Sequence, residues 1–148
     1  PRSSLSSSSA ASDVYKRQVS IFISGCAGTG TKDVAVYSAK IEDSETTAFV
    51  IGRRTGYTGS AGLISIKIDG AEVGSLGEQE VGVYEVSEGA HTVEVKFKGI
   101  AGIGVNAVVK SRQIEDGEKV FYSIQQTMTL LSSKLKMLEL TKEGFYDE

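Results

Sequence analysis

The sequence has few of the residues that define several common protein classes. Its 148 residues include one cysteine, one histidine, one proline and no tryptophan. A single cysteine excludes an internal disulfide and a cysteine-based zinc cage, and a single histidine excludes a two-histidine metal motif. The formal net charge of −3 argues against a nucleic-acid partner. We therefore expect no metal site, no cofactor and no nucleic-acid binding.

What is present is typical of one soluble globular domain. Hydrophobic residues make up 40% of the chain and charged residues 24%, which are ordinary values. All 17 glycines lie at position 25 or later. Residues 1–18 are instead serine-rich and have no apolar period, and residues 13–18 (DVYKRQ) resemble a translated sequencing adapter. We interpret 1–18 as a non-native or disordered leader and leave it out of the fold prediction.

Residues 19–26 have the pattern that ends a bacterial lipoprotein signal. An apolar stretch leads into Ile23-Ser24-Gly25-Cys26, which resembles the lipobox, an aliphatic residue followed by two small residues and a cysteine. The resemblance implies acylation of Cys26 and membrane attachment through the acyl chains. Residue 27 is alanine rather than aspartate, which favours the outer membrane facing the periplasm if the source is Gram-negative. The alternative is a buried strand with a free cysteine.

Alternating apolar and polar residues predict many short strands after residue 45. Ile64, Ile66 and Ile68 alternate with polar residues and lead into Asp69-Gly70, a strong hairpin signal. Turn signals recur every 8–15 residues or so, which favours an all-β fold, a small antiparallel β-sandwich of about seven to eight short strands. We place this domain at 45–141, with a tether or edge strand at 27–44 and a C-terminal tail at 142–148 that has room for one helical turn. Val105, Ala107 and Val109 are predicted to face inward along one strand.

Three segments of this domain share a frame with a known family. It consists of a strand ending in an arginine-containing glycine loop, a hairpin with an Asp-Gly turn, and a strand beginning Gly-x-His-Thr-Val; here these are GRRTGYTGS at 52–60, IKIDGAEVGSL at 66–76 and EGAHTV at 88–93. The frame is similar to that of the domain of unknown function 2846, found in small bacterial lipoproteins with a sandwich like that of PEGA domains. The resemblance covers about residues 46–141 and implies a β-sandwich, with no catalytic residues to carry over.

Two places in the sequence are candidate sites. Arg53, Arg54 and Tyr57 stand among glycines in the Arg53–Ser60 loop, where arginine would suit an anion and tyrosine would stack on a sugar; the alternative is a solvated connecting loop. His91 would act as a general base in a hydrolase, or be a structural histidine bonded to a turn carbonyl, which we favour.

These observations predict a lipid-anchored protein of the bacterial envelope that is not an enzyme. Its sandwich would bind or support another envelope component. The alternative is a module that binds carbohydrate or peptidoglycan in the cell wall through the Arg53–Ser60 loop, and a hydrolase using His91 is less favoured because acid–base sites assemble several titratable groups.

Overall fold

A computed structural model describes residues 28–54, 62–128 and 130–148, with backbone alone at Ile100, Ala101 and Met128. Eight strands and two short helices form within these ranges, which confirms the all-β fold class. The elements in chain order are α1 (Val34–Glu42), β1 (Ala48–Arg53), β2 (Ile64–Ile68), β3 (Ala71–Leu76), β4 (Val81–Glu85), β5 (Gly89–Phe97), a 3-10 turn (Gly99–Gly102), β6 (Val108–Ile114), β7 (Lys119–Met128), β8 (Ser133–Leu140) and α2 (Lys142–Asp147).

The strands form two four-stranded sheets that pack as a sandwich. Sheet A has the order β4-β1-β7-β8 and sheet B the order β3-β2-β5-β6. Neighbouring strands are antiparallel except β1 and β7, which run parallel from Ala48 opposite Lys119 to Arg53 opposite Ile124. The expected antiparallel pairing is therefore wrong at this one position. A parallel pair needs a long crossover, and here all of sheet B lies between the two strands in the chain.

The main core lies between the sheets and follows the alternation seen in the sequence. Ile64, Ile66 and Ile68 of β2 pack beside inward residues of β5, and sheet A contributes Phe49, Tyr122 and Ile124 among others. A second apolar cluster covers the outer face of sheet A, where both helices lie; its buried members are Tyr37, Ile41, Val50, Val81, Phe121 and Phe145. Because β1 is covered on both faces, each of its residues is buried.

The segment that we predicted as a tether or edge strand contains helix α1. The Asp33 side chain caps this helix by accepting a hydrogen bond from the Ala35 backbone N–H at 2.9 Å. Tyr37 and Ile41, four residues apart, point at sheet A and are buried. Within 28–44, Thr31 alone makes a bridge to a strand edge, opposite Val81. The helix was missed because Val34 and Val36 are exposed and β-branched, which obscures the helical pattern.

The inward phase predicted for this strand is confirmed at Val105, which is buried, and is wrong at Ala107 and Val109, which are exposed. Strand β6 itself begins at Val108. Lys110 and Arg112 instead lie on the same face of β6 as the buried Ile114, at the open edge between β6 and β8. Lys110 lies over the Tyr122 ring, and Arg112 Nε lies 3.2 Å from a Glu139 oxygen on β8. Long cationic side chains therefore bridge the sheets where apolar residues were expected.

The two ends of the sandwich carry different connections. At one end, here called the Arg53 end, lie the ends of β1, β3, β5 and β7 and the starts of the strands that follow them. At the opposite end, the His91 end, lie the turns at 69–70, 86–88 and 115–118. Asp69 and Gly70 both have positive φ, +52° and +82°, as the Asp-Gly hairpin signal predicts.

Candidate functional site

The structure describes some of the predicted site residues and not others. Cys26 and Tyr57 lie outside the described residues, as do positions 55–60 of the Arg53–Ser60 loop. Arg53, Arg54 and His91 are described. Gly28 is the first described residue after Cys26.

Arg53 is fully buried at the end of β1. One guanidinium nitrogen, Nη1, donates hydrogen bonds to the carbonyl oxygens of Gly62 at 2.5 Å and Leu76 at 3.2 Å. The guanidinium also lies 5.5 Å from the centre of the Phe97 ring, within range of a cation–π contact. Burial lowers the pKa of Arg53, although a guanidinium remains protonated in proteins. Arg53 thus ties the strands together at this end, and its interpretation as a surface ligand residue is corrected.

Arg54 lies on the other face of sheet A. Successive residues of a strand point to opposite faces, so Arg54 turns outward where Arg53 turns inward. Its Nη2 donates to the Phe145 carbonyl oxygen at 3.1 Å, and its guanidinium lies 5.2 Å from the Phe145 ring centre. The two arginines are therefore not brought together into one anion site. Arg54 instead holds helix α2 against sheet A.

His91 joins two turns at the His91 end. Its Nδ1 lies 2.6 Å from Asp69 Oδ2 in the β2–β3 turn, and its Nε2 lies 2.8 Å from the Ser87 carbonyl oxygen in the β4–β5 turn. Asp69 also accepts a hydrogen bond from the Thr92 N–H at 2.9 Å. The expected bond to a turn carbonyl is confirmed. Sequence reasoning missed Asp69 as the partner of His91, because the two residues are 22 positions apart.

These contacts set the protonation of the pair. The Asp69 carboxylate and then the Ser87 carbonyl raise the pKa of His91, while the His91 ring and then the Thr92 N–H lower the pKa of Asp69. Carbonyl and carboxylate oxygens only accept, so the arrangement suits an imidazolium that donates from both nitrogens. In this geometry neither ring nitrogen is free to take a proton from a substrate.

Residues 28–31, the first part of the predicted tether or edge strand, are hydrogen-bonded to the Arg53 end of the sandwich. The Thr29 N–H donates to the Ser75 carbonyl at 2.7 Å, and Thr31 and Val81 exchange two backbone hydrogen bonds of 2.9 and 2.8 Å. The segment passes between the edges of β3 and β4. A Cβ on Gly30 would lie 2.6 Å from Leu76 Cδ2, which explains a glycine at this position. The segment therefore closes one edge of the sandwich.

The described surface includes two open clefts. One, of about 190 Å³, lies between residues 29–31, helix α1 and β4, with Lys40 as its charged lining residue. The other, of about 290 Å³, lies between residues 104–108 and 132–135, with Lys134 as its charged lining residue. In the part of the chain that the structure describes, no group of three or more His, Cys, Asp or Glu side chains is placed to hold a metal. Neither cleft collects the titratable groups of an acid–base site.

Comparisons with protein-family models, curated proteins and solved structures find no match to this chain. Of the helices in the described ranges, none has the length and apolar character needed to span a bilayer.

Proposed function

We propose that this chain is a lipid-anchored protein of the bacterial envelope, whose β-sandwich has a non-catalytic binding or structural role. The observation that supports this most is the seating of residues 28–31. Gly28, the first described residue, is two positions after Cys26, and two extended residues span at most about 7 Å. An acyl group on Cys26 would therefore hold the Arg53 end of the sandwich close to the bilayer.

The non-catalytic role is supported by the hydrogen bonds that the candidate functional side chains make within the fold. Both nitrogens of His91 are engaged by Asp69 and Ser87. The buried guanidinium of Arg53 bonds to backbone carbonyls. These side chains stabilise the sandwich, and the role that fits them is structural.

The glycan-binding alternative has less support from the structure than from the sequence. It relied on Arg53, Arg54 and Tyr57 acting together in one loop. Arg53 points into the core and Arg54 packs on Phe145, so two of the three side chains already have structural contacts. We therefore propose anchoring, rather than glycan recognition, as the function to test first.

The test is the variant Cys26→Ser, expressed in bacteria behind a complete lipoprotein leader. We expect the variant to leave the membrane fraction while its circular dichroism and melting temperature stay unchanged, because the described strands and helices all begin after residue 26. Ala27→Ser is the matched control: it changes the same segment, keeps the thiol and should remain in the membrane fraction. Retention of Cys26→Ser in the membrane fraction would contradict the proposal.

A further inference from the structure

The most exposed large apolar side chains of the described residues belong to two connections at the same end of the sandwich. Leu130 and Leu131, in the β7–β8 turn, are fully exposed, and Ile103, between β5 and β6, is 77% exposed. Both connections belong to the Arg53 end. We call these three residues the apolar tip. Scattered exposed apolar residues are normal in soluble proteins, but a group at one end is typical of a contact surface.

The connections that carry the apolar tip have no charge. Residues 99–109 and 120–133 are each free of Asp, Glu, Lys and Arg, and each is flanked by lysines. Gly104, residues 106–108 and residues 132–135 line the same 290 Å³ cleft, so the two segments are neighbours. Lys134 borders the β7–β8 connection and is exposed, whereas the ammonium of Lys98 is paired with the Glu72 carboxylate. A lysine in the position of Lys134 can extend its amine toward lipid headgroups while its methylenes lie among apolar groups.

The apolar tip lies at the same end as the start of the described chain. Residues 28–31 run along β3 and β4 at one lateral edge of the sandwich, and β6 and β8 form the other edge. Three strand spacings separate these edges, or about 14 Å. An anchor on Cys26 and the apolar tip would therefore touch one flat surface at two separate points.

The His91 end exposes negative charge, which does not suit contact with a lipid surface. Its turns and the 43–45 connection expose a set of carboxylates, namely Asp43, Glu45, Asp69, Glu88, Glu115 and Asp116. Bacterial phospholipid surfaces are commonly anionic and would repel them. On the Arg53 end the β3–β4 turn carries Glu78, exposed, and Glu80, which accepts a hydrogen bond from the Gly77 N–H. Both lie at the edge away from the apolar tip.

We propose that the apolar tip, Ile103 with Leu130 and Leu131, inserts into the lipid interface and orients the anchored sandwich on the membrane. This inference rests on the proposed lipid anchor, which supplies the proximity. The diacylglycerol expected on Cys26 carries two acyl chains, which hold the protein at the membrane, and contact through the apolar tip would fix the orientation of the sandwich. The surface that the apolar tip contacts is thus a lipid membrane. The His91 end faces away from this membrane, toward the periplasm if the source is Gram-negative.

The experiment uses the absence of tryptophan from the sequence. Leu131→Trp places a unique fluorophore on the apolar tip, and Leu130→Trp is a second reporter. The matched control is Ala71→Trp, because Ala71 is exposed in the turn region of the His91 end. Each acylated protein is reconstituted on phosphatidylethanolamine–phosphatidylglycerol vesicles with brominated acyl chains. We expect a blue shift and loss of emission for the tip reporters and neither for the control.

The other outcomes separate this inference from the proposed function. If the protein stays on the vesicles but the tip and control reporters behave alike, the anchor stands and membrane insertion of the tip is overturned. If no acylated protein is recovered on membranes, the anchor proposal fails and the inference falls with it. A blue shift without vesicles that grows with protein concentration would show that a second copy covers the tip, which also overturns the inference.

Discussion

Gly52 provides the sharpest test of how the helices cover sheet A. Gly52 lies in β1, and a Cβ built there would come within 2.8 Å of Phe145 Cζ and 2.9 Å of Phe145 Cε2. Phe145 is fully buried, and its ring centre lies 5.4 Å from that of Phe121. The ring therefore has little room to move aside. We expect Gly52→Ala to push helix α2 away from the sheet.

The expected cost follows from overpacking. Adding a methyl group to a filled site lowers the free energy of unfolding by about 1–3 kcal/mol. In a domain of this size each kcal/mol lowers the melting temperature by about 4–8 °C. Phe145→Ala alone should cost about 3–5 kcal/mol through the cavity it leaves. In the double variant the methyl group added by Gly52→Ala has the vacated space, so the two costs should not add.

The assay is urea unfolding of the wild type, both single variants and the double variant, followed by circular dichroism. We expect the double variant to be more stable than the sum of the single costs predicts, by about 1 kcal/mol or more. Additivity within about 0.5 kcal/mol would refute the packing described here, since it would mean that the residues do not touch. A Gly52→Ala variant as stable as the wild type would do the same.

Two further predictions concern the charged contacts. His91 is the one histidine, so its proton resonance is unambiguous; Asp69→Asn should lower the His91 pKa measured by NMR, and an unchanged pKa would contradict the pairing. The raised His91 pKa stabilises the folded state below the ordinary histidine pKa of about 6.5, and the lowered Asp69 pKa stabilises it above the ordinary aspartate pKa of about 3.9. Both contributions are present together between these two values. The loss of unfolding free energy in Asp69→Asn should therefore be largest between about pH 3.9 and 6.5 and smaller at pH 9. In urea unfolding, Arg53→Ala should cost about 3 kcal/mol and more than Arg54→Ala, since it leaves two carbonyls without their donor; equal costs would contradict its burial.

Local patterns explain why much of the sandwich was predictable. The alternation at Ile64–Ile68 and in β5 fixes which side chains face the core, because side chains of a strand alternate between faces. The Asp-Gly pair at 69–70 specifies a turn with positive φ, and the structure has one. The burial of residues 48–51 of β1 follows from their apolar composition. Each of these signals lies within a few neighbouring residues.

Two of the features that sequence reasoning missed, the parallel strand pair and the buried arginine, depend on contacts between distant parts of the chain. The parallel pairing of β1 with β7 joins segments about 70 residues apart. Arg53 looks like a surface residue by its charge, and its burial depends on the carbonyls of Gly62 and Leu76. Helix α1 has a cap at Asp33 and an apolar pair at Tyr37 and Ile41, signals that were present but weak. The tip at Leu130 and Leu131 stands out only when exposure is known.

The central claim is that the sandwich is held at a membrane by lipid on Cys26. The direct test is the mass of the N-terminal peptide of the mature protein, after expression in bacteria behind a complete lipoprotein leader. The account predicts a chain that begins at Cys26 and carries the added mass of diacylglycerol, with or without a further acyl group. A chain that retains the leader, or that has an unmodified Cys26, would contradict it.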